Sequence, residues 1–198
     1  MNCTQQELQF VLQEAKDHGA TDAVLLPAGK IEVKDSLAQR CSQPKCINYN
    51  LSKSCPPHVA GPEFLREKLK GLSWAVFFRI EVPSEILYSS QSDELFQLLH
   101  ETAARLELSA KRYGFASAQG FAGNSCKKVF CQDYLECRAV NQDGKCRNPD
   151  RARPSMSGFG VDVTKLYQAA GWSLKGRMHD NGDRTMTLSS ISGLVLIC

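Results

Sequence analysis

The sequence predicts an α/β fold: one domain over residues 1–198, with a mixed sheet, flanking helices and two long cysteine-bearing loops. Three observations predict it. Helical apolar periodicity alternates with short β-type runs along the chain. One run, "WAVFFRIEV", is apolar almost throughout, as in a strand buried on both faces. Seven of the nine cysteines fall in two polar, irregular segments, 36–62 and 122–158.

The elements follow in order. Thr4 with Glu7 forms a capping box, and an amphipathic helix runs to about His18 before Gly19 ends it. "TDAVLLPAGKIEVK" reads as two short strands around a Pro27–Lys30 turn. After the first cysteine segment, "PEFLREKLKG" starts a helix with Pro62 in its first turn and stops at Gly71. The strand "WAVFFRIEV" comes next, then the longest helical pattern, Ser92 to Tyr113, closed by Gly114. "FASAQGF" follows as a strand. Trp74 to Phe121 is thus β-α-β, which favours a parallel pair with a right-handed crossover. Beyond the second cysteine segment come a helix around Thr164–Ala170 and a closing hairpin. Its strands are "WSLKGRM" and "TMTLSSISGLVLIC", joined by "HDNGD".

A chain of 198 residues buries a core without staples. The net charge of +3 and the dispersed Lys and Arg give no basic stripe, so no nucleic-acid partner is expected. No apolar run approaches membrane length, and "ISGLVLIC" is only a strand, so no membrane partner is expected either. The start, "MNCTQQELQF", lacks a basic n-region and an apolar h-region, so a cytoplasmic location is expected. There clustered cysteines are more often ligands or redox groups than disulfides.

The spacings are Cys41-x4-Cys46-x8-Cys55 and Cys126-x4-Cys131-x5-Cys137-x8-Cys146. Both segments open with Cys-x4-Cys and close with x8-Cys near a proline. Four thiols in one polar loop point to a metal, which orders a segment that cannot bury enough apolar surface for itself. The wider gaps fit zinc pairs poorly and an iron–sulfur cluster better, so a four-iron four-sulfur (4Fe–4S) centre, one or two, stands beside zinc as the alternative. The first segment supplies three thiolates. Cys3, Cys198, His58 or an external molecule could complete it. Apart from that role Cys3 and Cys198 read as bystanders, and His18, His100 and His179 as chemically idle. Arg147, Arg151 and Arg153 either tie the loop to backbone carbonyls or offset an anionic cluster. No Ser-His-Asp set, P-loop, paired carboxylates or dinucleotide loop stands out.

"RCSQPKCINYNLSKSCPPH" (Arg40–His58) and "GNSCKKVFCQDYLECRAVNQDGKCRNPDRARPSMSGFGVDV" (Gly123–Val163) resemble a family of small predicted metal-binding proteins of anaerobic bacteria and archaea. The Cys-Pro-Pro step and the Cys-Arg-x-Pro-x-x-x-Arg-Pro-Ser-Met run carry that resemblance. It extends from "GATDAVLLPA" to "GLVLIC" and implies metal binding, with iron–sulfur the centre it favours. "CKKVFCQDYLEC" is wider than the spacing of many members. The resemblance implies no reaction.

Three functions fit these residues. The first is an iron–sulfur protein doing redox or cluster-based chemistry on a small molecule, with a redox partner protein. The second is a zinc-stabilised binding module without catalysis. The third is a carrier of metal or sulfur. Whether the chain is an enzyme stays open, and any catalysis would rest on the cofactor.

Overall fold

The structure is a computed structural model that describes residues 3–141, 144–174, 177–180 and 185–198, with side chains of 177–180 and 185–186 left aside. Helix α1 (Gln5–Asp17) has the expected capping box, with Thr4 Oγ1 accepting from Glu7 N and Glu7 reaching back to Thr4 N. Strand β1 (Asp22–Pro27) leads into a 3-10 turn at Ala28–Lys30. The second strand expected after that turn shrinks to a single bridge, Val33 to Val161. Helices α2 (Asp35–Gln39) and α3 (Gly61–Lys70) flank the first cysteine segment. Strand β2 (Trp74–Pro83), a short α4 (Ser84–Leu87) and the long α5 (Ser92–Arg112) precede β3 (Gln119–Phe121). The second cysteine segment is partly helical: α6 (Cys126–Phe130) and α7 (Arg138–Asn141) lie inside it. Helix α8 (Val163–Ala169) and the strands β4 (Arg177–Asp180) and β5 (Thr185–Leu196) complete the chain.

The α/β class holds, with helices on both faces of the sheet. The sheet differs from expectation in one respect. Its order is β1-β2-β5-β3, with β4 also on β5, and every described ladder is antiparallel. The β2-α5-β3 unit does not make a parallel pair. Strands β2 and β3 run the same way, but β5 lies between them and pairs Leu194 with both Phe77 and Phe121. The parallel component is a lone bridge from Ala122 to Ser155. The reason lies in the last segment: "SGLVLI" is apolar on both faces, so it is most stable inside the sheet rather than at its edge. The closing hairpin is present as β4 with β5, and positions 181–184 of its expected turn lie outside the described residues.

The alternation in β2 feeds two cores. Val76, Phe78 and Ile80 face Leu8 and Val11 of α1 and Leu99, Ala103 and Leu106 of α5. Ala75 and Phe77 face Leu65 of α3, Leu166 and Tyr167 of α8, and Met156 and Phe159 of the second cysteine segment. That segment therefore rests on the sheet at its exit. Among the described residues no helix is long and apolar enough to cross a membrane.

Cys3 and Cys198, expected to be bystanders, form a disulfide with a Cα–Cα distance of 6.3 Å. Both ends pack on the α1/α5 face, and the Cys198 carbonyl accepts from Trp74 N at 2.7 Å, which brings the last residue beside the start of α1.

Close backbone approach fixes β3 against α5. A Cβ added at Gly120 would stand 2.6 Å from Ala103 O, whereas one at Gly29 would meet nothing within 4 Å. Gly120→Ala is expected to cost about 1–3 kcal/mol through overpacking, and Gly29→Ala less than about 0.5 kcal/mol. Urea unfolding of the two variants beside the parent measures this. Equal stability of all three would show that β3 does not approach α5 so closely.

Candidate metal centre

The second cysteine set is built on a loop folded against α5. Helix α6 begins at Cys126, and Cys131 follows its last turn. Lys127 Nζ donates to Cys131 O at 2.7 Å and also to Tyr134 O, closing that turn. Cys126, Cys131, Cys137 and Cys146 line one nearly closed cleft, with Lys127, Arg138, Arg147 and Asn148 around it. Among the described residues no carboxylate and no imidazole lines it.

The first set lines a separate cavity of about 100 Å³. Its walls carry Cys41, Cys46, Cys55, Asn48, Tyr49 and Asn124, with Ser155 and Ser157 from the exit of the other loop. The Pro56–Pro57 step sits in a turn closed by His58 N donating to Cys55 O at 3.0 Å. Among the described residues no three His, Cys, Asp or Glu side chains converge tightly enough to hold a single ion. The three thiols of the first set surround a cavity, and the four of the second close on a cleft of only about 10 Å³.

Several donors aim at sulfur. Asn48 N lies 3.5 Å from Cys46 Sγ, Asn148 N 3.3 Å from Cys146 Sγ, and Asn148 Nδ2 3.4 Å from Cys131 Sγ. Ser54 Oγ donates to Cys126 Sγ at 3.1 Å and accepts from Cys126 N at 3.3 Å. The same hydroxyl stands 3.9 Å from Cys55 Sγ and 2.9 Å from Ser52 Oγ, which in turn meets Ser125 Oγ at 3.1 Å. This buried serine knot joins the two cysteine loops and places Ser54 between a sulfur of each set. Hydrogen bonds of this kind favour the charged form of a thiol.

Burial works the other way. It pushes the Cys126 thiol up to about 11, opposed by the Ser54 and Ser52 hydrogen bonds, while charge on Cys146 and Cys55 would raise it further. Cys41 and Cys131 are also raised, first by burial and then by neighbouring cysteines. Without a bound metal Cys41, Cys126 and Cys131 are therefore held protonated, although Arg147 and Lys127 partly offset the rise at Cys131, and a bound metal would release those protons.

The arginines have structural work. Arg147 stacks on Tyr134, 4.0 Å from the ring centroid, and its NH1 donates to Glu136 O. Arg151 pairs with Glu101 of α5 and lies over Phe130. Arg153 is buried: its Nε lies 2.7 Å from Glu107 Oε2, and its NH1 donates to Pro149 O and Ala152 O. They tie the loop to α5 and to its own carbonyls, and Arg147 also borders the four-cysteine cleft.

His58 lines neither cysteine cavity described so far. Its Nε2 meets Asn50 Oδ1 at 2.7 Å, and it lines a third, mostly apolar cavity of about 360 Å³ between the loops. Cys126, Cys146, Phe64 and Phe159 share that wall. Cys3 and Cys198 are engaged with each other. None of these three residues is therefore among those lining the three-cysteine cavity.

Sequence reasoning passed over Ser52, Ser54, Ser125, Asn48 and Asn148. A signal for the asparagines is in the chain: "CIN" and "CRN" repeat Cys-x-Asn, once in each loop. In both, the asparagine N–H reaches back to the sulfur two residues earlier. His100 was also read as idle, yet it is fully buried in α5, and its Nδ1 accepts Arg153 N at 3.1 Å.

The chain belongs to the family of predicted metal-binding proteins DUF2284, whose model matches residues 24–197. Both cysteine loops lie within that match. Neither a curated protein nor a solved structure matches the chain.

His100 gives the site a pH signature in stability. Burial lowers its pKa from 6.5 to about 4; the Gly123 backbone opposes this in part, and Arg153 adds to it. At neutral pH both folded and unfolded chains hold the imidazole neutral. As pH falls below 6.5 the unfolded chain takes up a proton that the folded chain refuses until about 4. Stability should therefore drop over that window, by roughly 3 kcal/mol from this residue. Urea unfolding across the window should show a shallower fall for His100→Gln than for the parent. Parallel curves would show that His100 is not the group refusing the proton.

Proposed function

We propose that the chain is an iron–sulfur protein with two centres, serving redox or cluster-based chemistry on a small molecule. A 4Fe–4S centre is held by Cys126, Cys131, Cys137 and Cys146, and the second centre by Cys41, Cys46 and Cys55. The observation that carries this reading is the set of donors turned toward sulfur from Ser54, Asn48 and Asn148. Neutral thiols accept hydrogen bonds weakly, whereas cluster thiolates and sulfides are tuned by them.

Two further features support it. Among the described residues the linings offer soft thiols without carboxylate or imidazole, the donor set that selects zinc, copper(I) or iron–sulfur. The three thiols of the first set also surround a cavity of about 100 Å³, which suits a centre wider than one ion. When bound, a cluster supplies one-electron transfer and, at an iron without a thiolate, a Lewis-acid position.

The chain's own residues set the conditions. Lys127, Arg138 and Arg147 offset the negative charge of four thiolates. The serine knot holds Cys55 and Cys126 close together, so electrons have a short path between the centres. The apolar cavity beside Cys126 and Cys146 is of a size for a compact organic molecule. A redox partner protein exchanges electrons with the four-thiolate centre at Cys146, the exposed member of the set.

Anaerobic reconstitution with iron and sulfide, followed by metal and acid-labile sulfide analysis, tests this. The expected protein is brown. Serine at any one of Cys126, Cys131, Cys137 or Cys146 should remove one centre, with iron and sulfide falling together by roughly half. A colourless protein that retains zinc and no inorganic sulfide would overturn the reading in favour of a zinc-stabilised binding module.

A further inference from the structure

The amide of Asn48 is oriented by its neighbours, and its orientation has a chemical consequence. Asn124, in the left-handed region at φ 60, turns its Oδ1 onto its own following backbone and accepts Ser125 N at 2.9 Å. The atom that accepts an N–H must be the oxygen. That same oxygen accepts from Asn48 at 2.8 Å, so the Asn48 atom facing it must be Nδ2. Asn48 is held a second time by its backbone N–H on Cys46 Sγ. Its Oδ1 is thereby directed away from Asn124, is buried, and has no hydrogen-bond partner.

A buried acceptor without a donor is rare and costly in a folded protein. Here it belongs to a residue lining the cavity of Cys41, Cys46 and Cys55. Among the described residues no carboxylate or imidazole lines that cavity. The sequence offered Cys3, Cys198 and His58 as completing ligands, and the structure engages each of them elsewhere. Tyr49, Asn124, Ser155 and Ser157 also bring oxygens to its walls, but among these described residues Asn48 Oδ1 is the buried acceptor whose lone pairs are unused.

We infer that Asn48 Oδ1 is the fourth protein donor of the three-cysteine centre, a neutral oxygen that a small soft ligand can displace. The inference rests on the reading that these thiols hold a metal centre. An amide oxygen carries no charge to neutralise and is a hard donor, so it binds soft iron far less firmly than a fourth thiolate would. The position is occupied at rest and exchangeable on demand. The ligand class is a compact sulfur or carbon donor: hydrosulfide, a small thiolate or cyanide. On exchange the metal–oxygen bond breaks and a metal–sulfur or metal–carbon bond forms, with no change of oxidation state. The released amide turns aside about its Nδ2 hydrogen bond to Asn124, and its Oδ1, now beside the new ligand, accepts the S–H of a bound hydrosulfide. Asn48 thus both guards the position and recognises what replaces it.

The test uses the full chain, reconstituted anaerobically, with cyanide as the probe. Electron paramagnetic resonance of the reduced protein and iron analysis after mild oxidation are the readouts. In the parent, cyanide shifts the signal of one centre. Asn48→Cys closes that centre with a fourth thiolate, so the shift vanishes while iron content is kept. Asn48→Ala removes the guarding oxygen: cyanide binds more tightly, and one iron is lost on oxidation about tenfold faster, the effect of one weak bond. Asn124→Ala leaves the oxygen but frees its orientation, and falls between parent and Asn48→Ala.

An Asn48→Ala protein with the parent's cyanide affinity and iron retention overturns the inference. So does an Asn48→Cys protein that still responds to cyanide as the parent does. If Asn48→Ala does not fold, the Asn48→Cys comparison decides alone. A parent protein that takes up no iron on Cys41, Cys46 and Cys55 sinks the underlying reading instead. That outcome is told apart by iron analysis of the parent, before any variant is compared.

Discussion

The carboxylate of Glu107 is the point on which the rest of the site hangs. It sits buried on α5, accepts from Gly120 N at 2.7 Å and Lys111 Nζ at 2.6 Å, and forms an ion pair with the Arg153 guanidinium, whose Nε stands 2.7 Å away. One charge therefore fixes the short strand β3, the exit of the second cysteine loop and the end of the long helix. A buried carboxylate is tolerable only with its partners in place. Arg153 supplies the compensating charge and spends its NH1 group on Pro149 and Ala152 carbonyls, which shapes the chain just after Cys146. His100, two turns earlier on the same face of α5, takes the Arg153 N–H and completes the anchorage.

From that anchorage the loops can afford to be polar. The first buries almost no apolar side chain of its own, leaving Ile47 and Leu51 exposed, and it is held by its neighbour: Ser52 and Ser54 meet Ser125 and Cys126 through buried hydroxyls, while Ser155 N donates to Ser54 O at 3.1 Å. Each loop is part of the other's floor. Cys55 and Cys126 become neighbours as a result, although 70 residues of sheet and helix lie between them in sequence. Hydrophobic burial positions the platform, and directional hydrogen bonds position the sulfurs.

The central place of β5 links the end of the chain to the site. Leu194 pairs with Phe77 on one side and Phe121 on the other, so the last strand fills the gap left by β2 and β3. Phe121 stacks edge-on against Phe159, 5.1 Å between centroids, which seats the exit of the second loop on the sheet. The Cys3–Cys198 disulfide then joins the first helix to the end of that strand.

Much of this was legible in the chain. Caps, glycines and apolar period placed α1, α3 and α5 within a few residues, because those signals are local. "WAVFFRIEV" read as a strand buried on both faces, and its alternate side chains do feed two cores. The two cysteine loops were legible too, since thiols clustered in polar segments have few other uses. The order of strands was not. β-α-β favours a parallel pair, and only the packing of a third apolar strand, from the far side of the second cysteine loop, decides that β5 goes between. Nor did the spacing of seven cysteines tell which polar atoms face them. Ser54, Asn48 and Arg153 look ordinary in sequence, and their roles come from residues distant in the chain: Cys126, Asn124 and Glu107. Periodicity and capping are properties of neighbours along the chain. Register, donor orientation and the sharing of a buried charge are properties of neighbours in space, and only the folded chain brings them together.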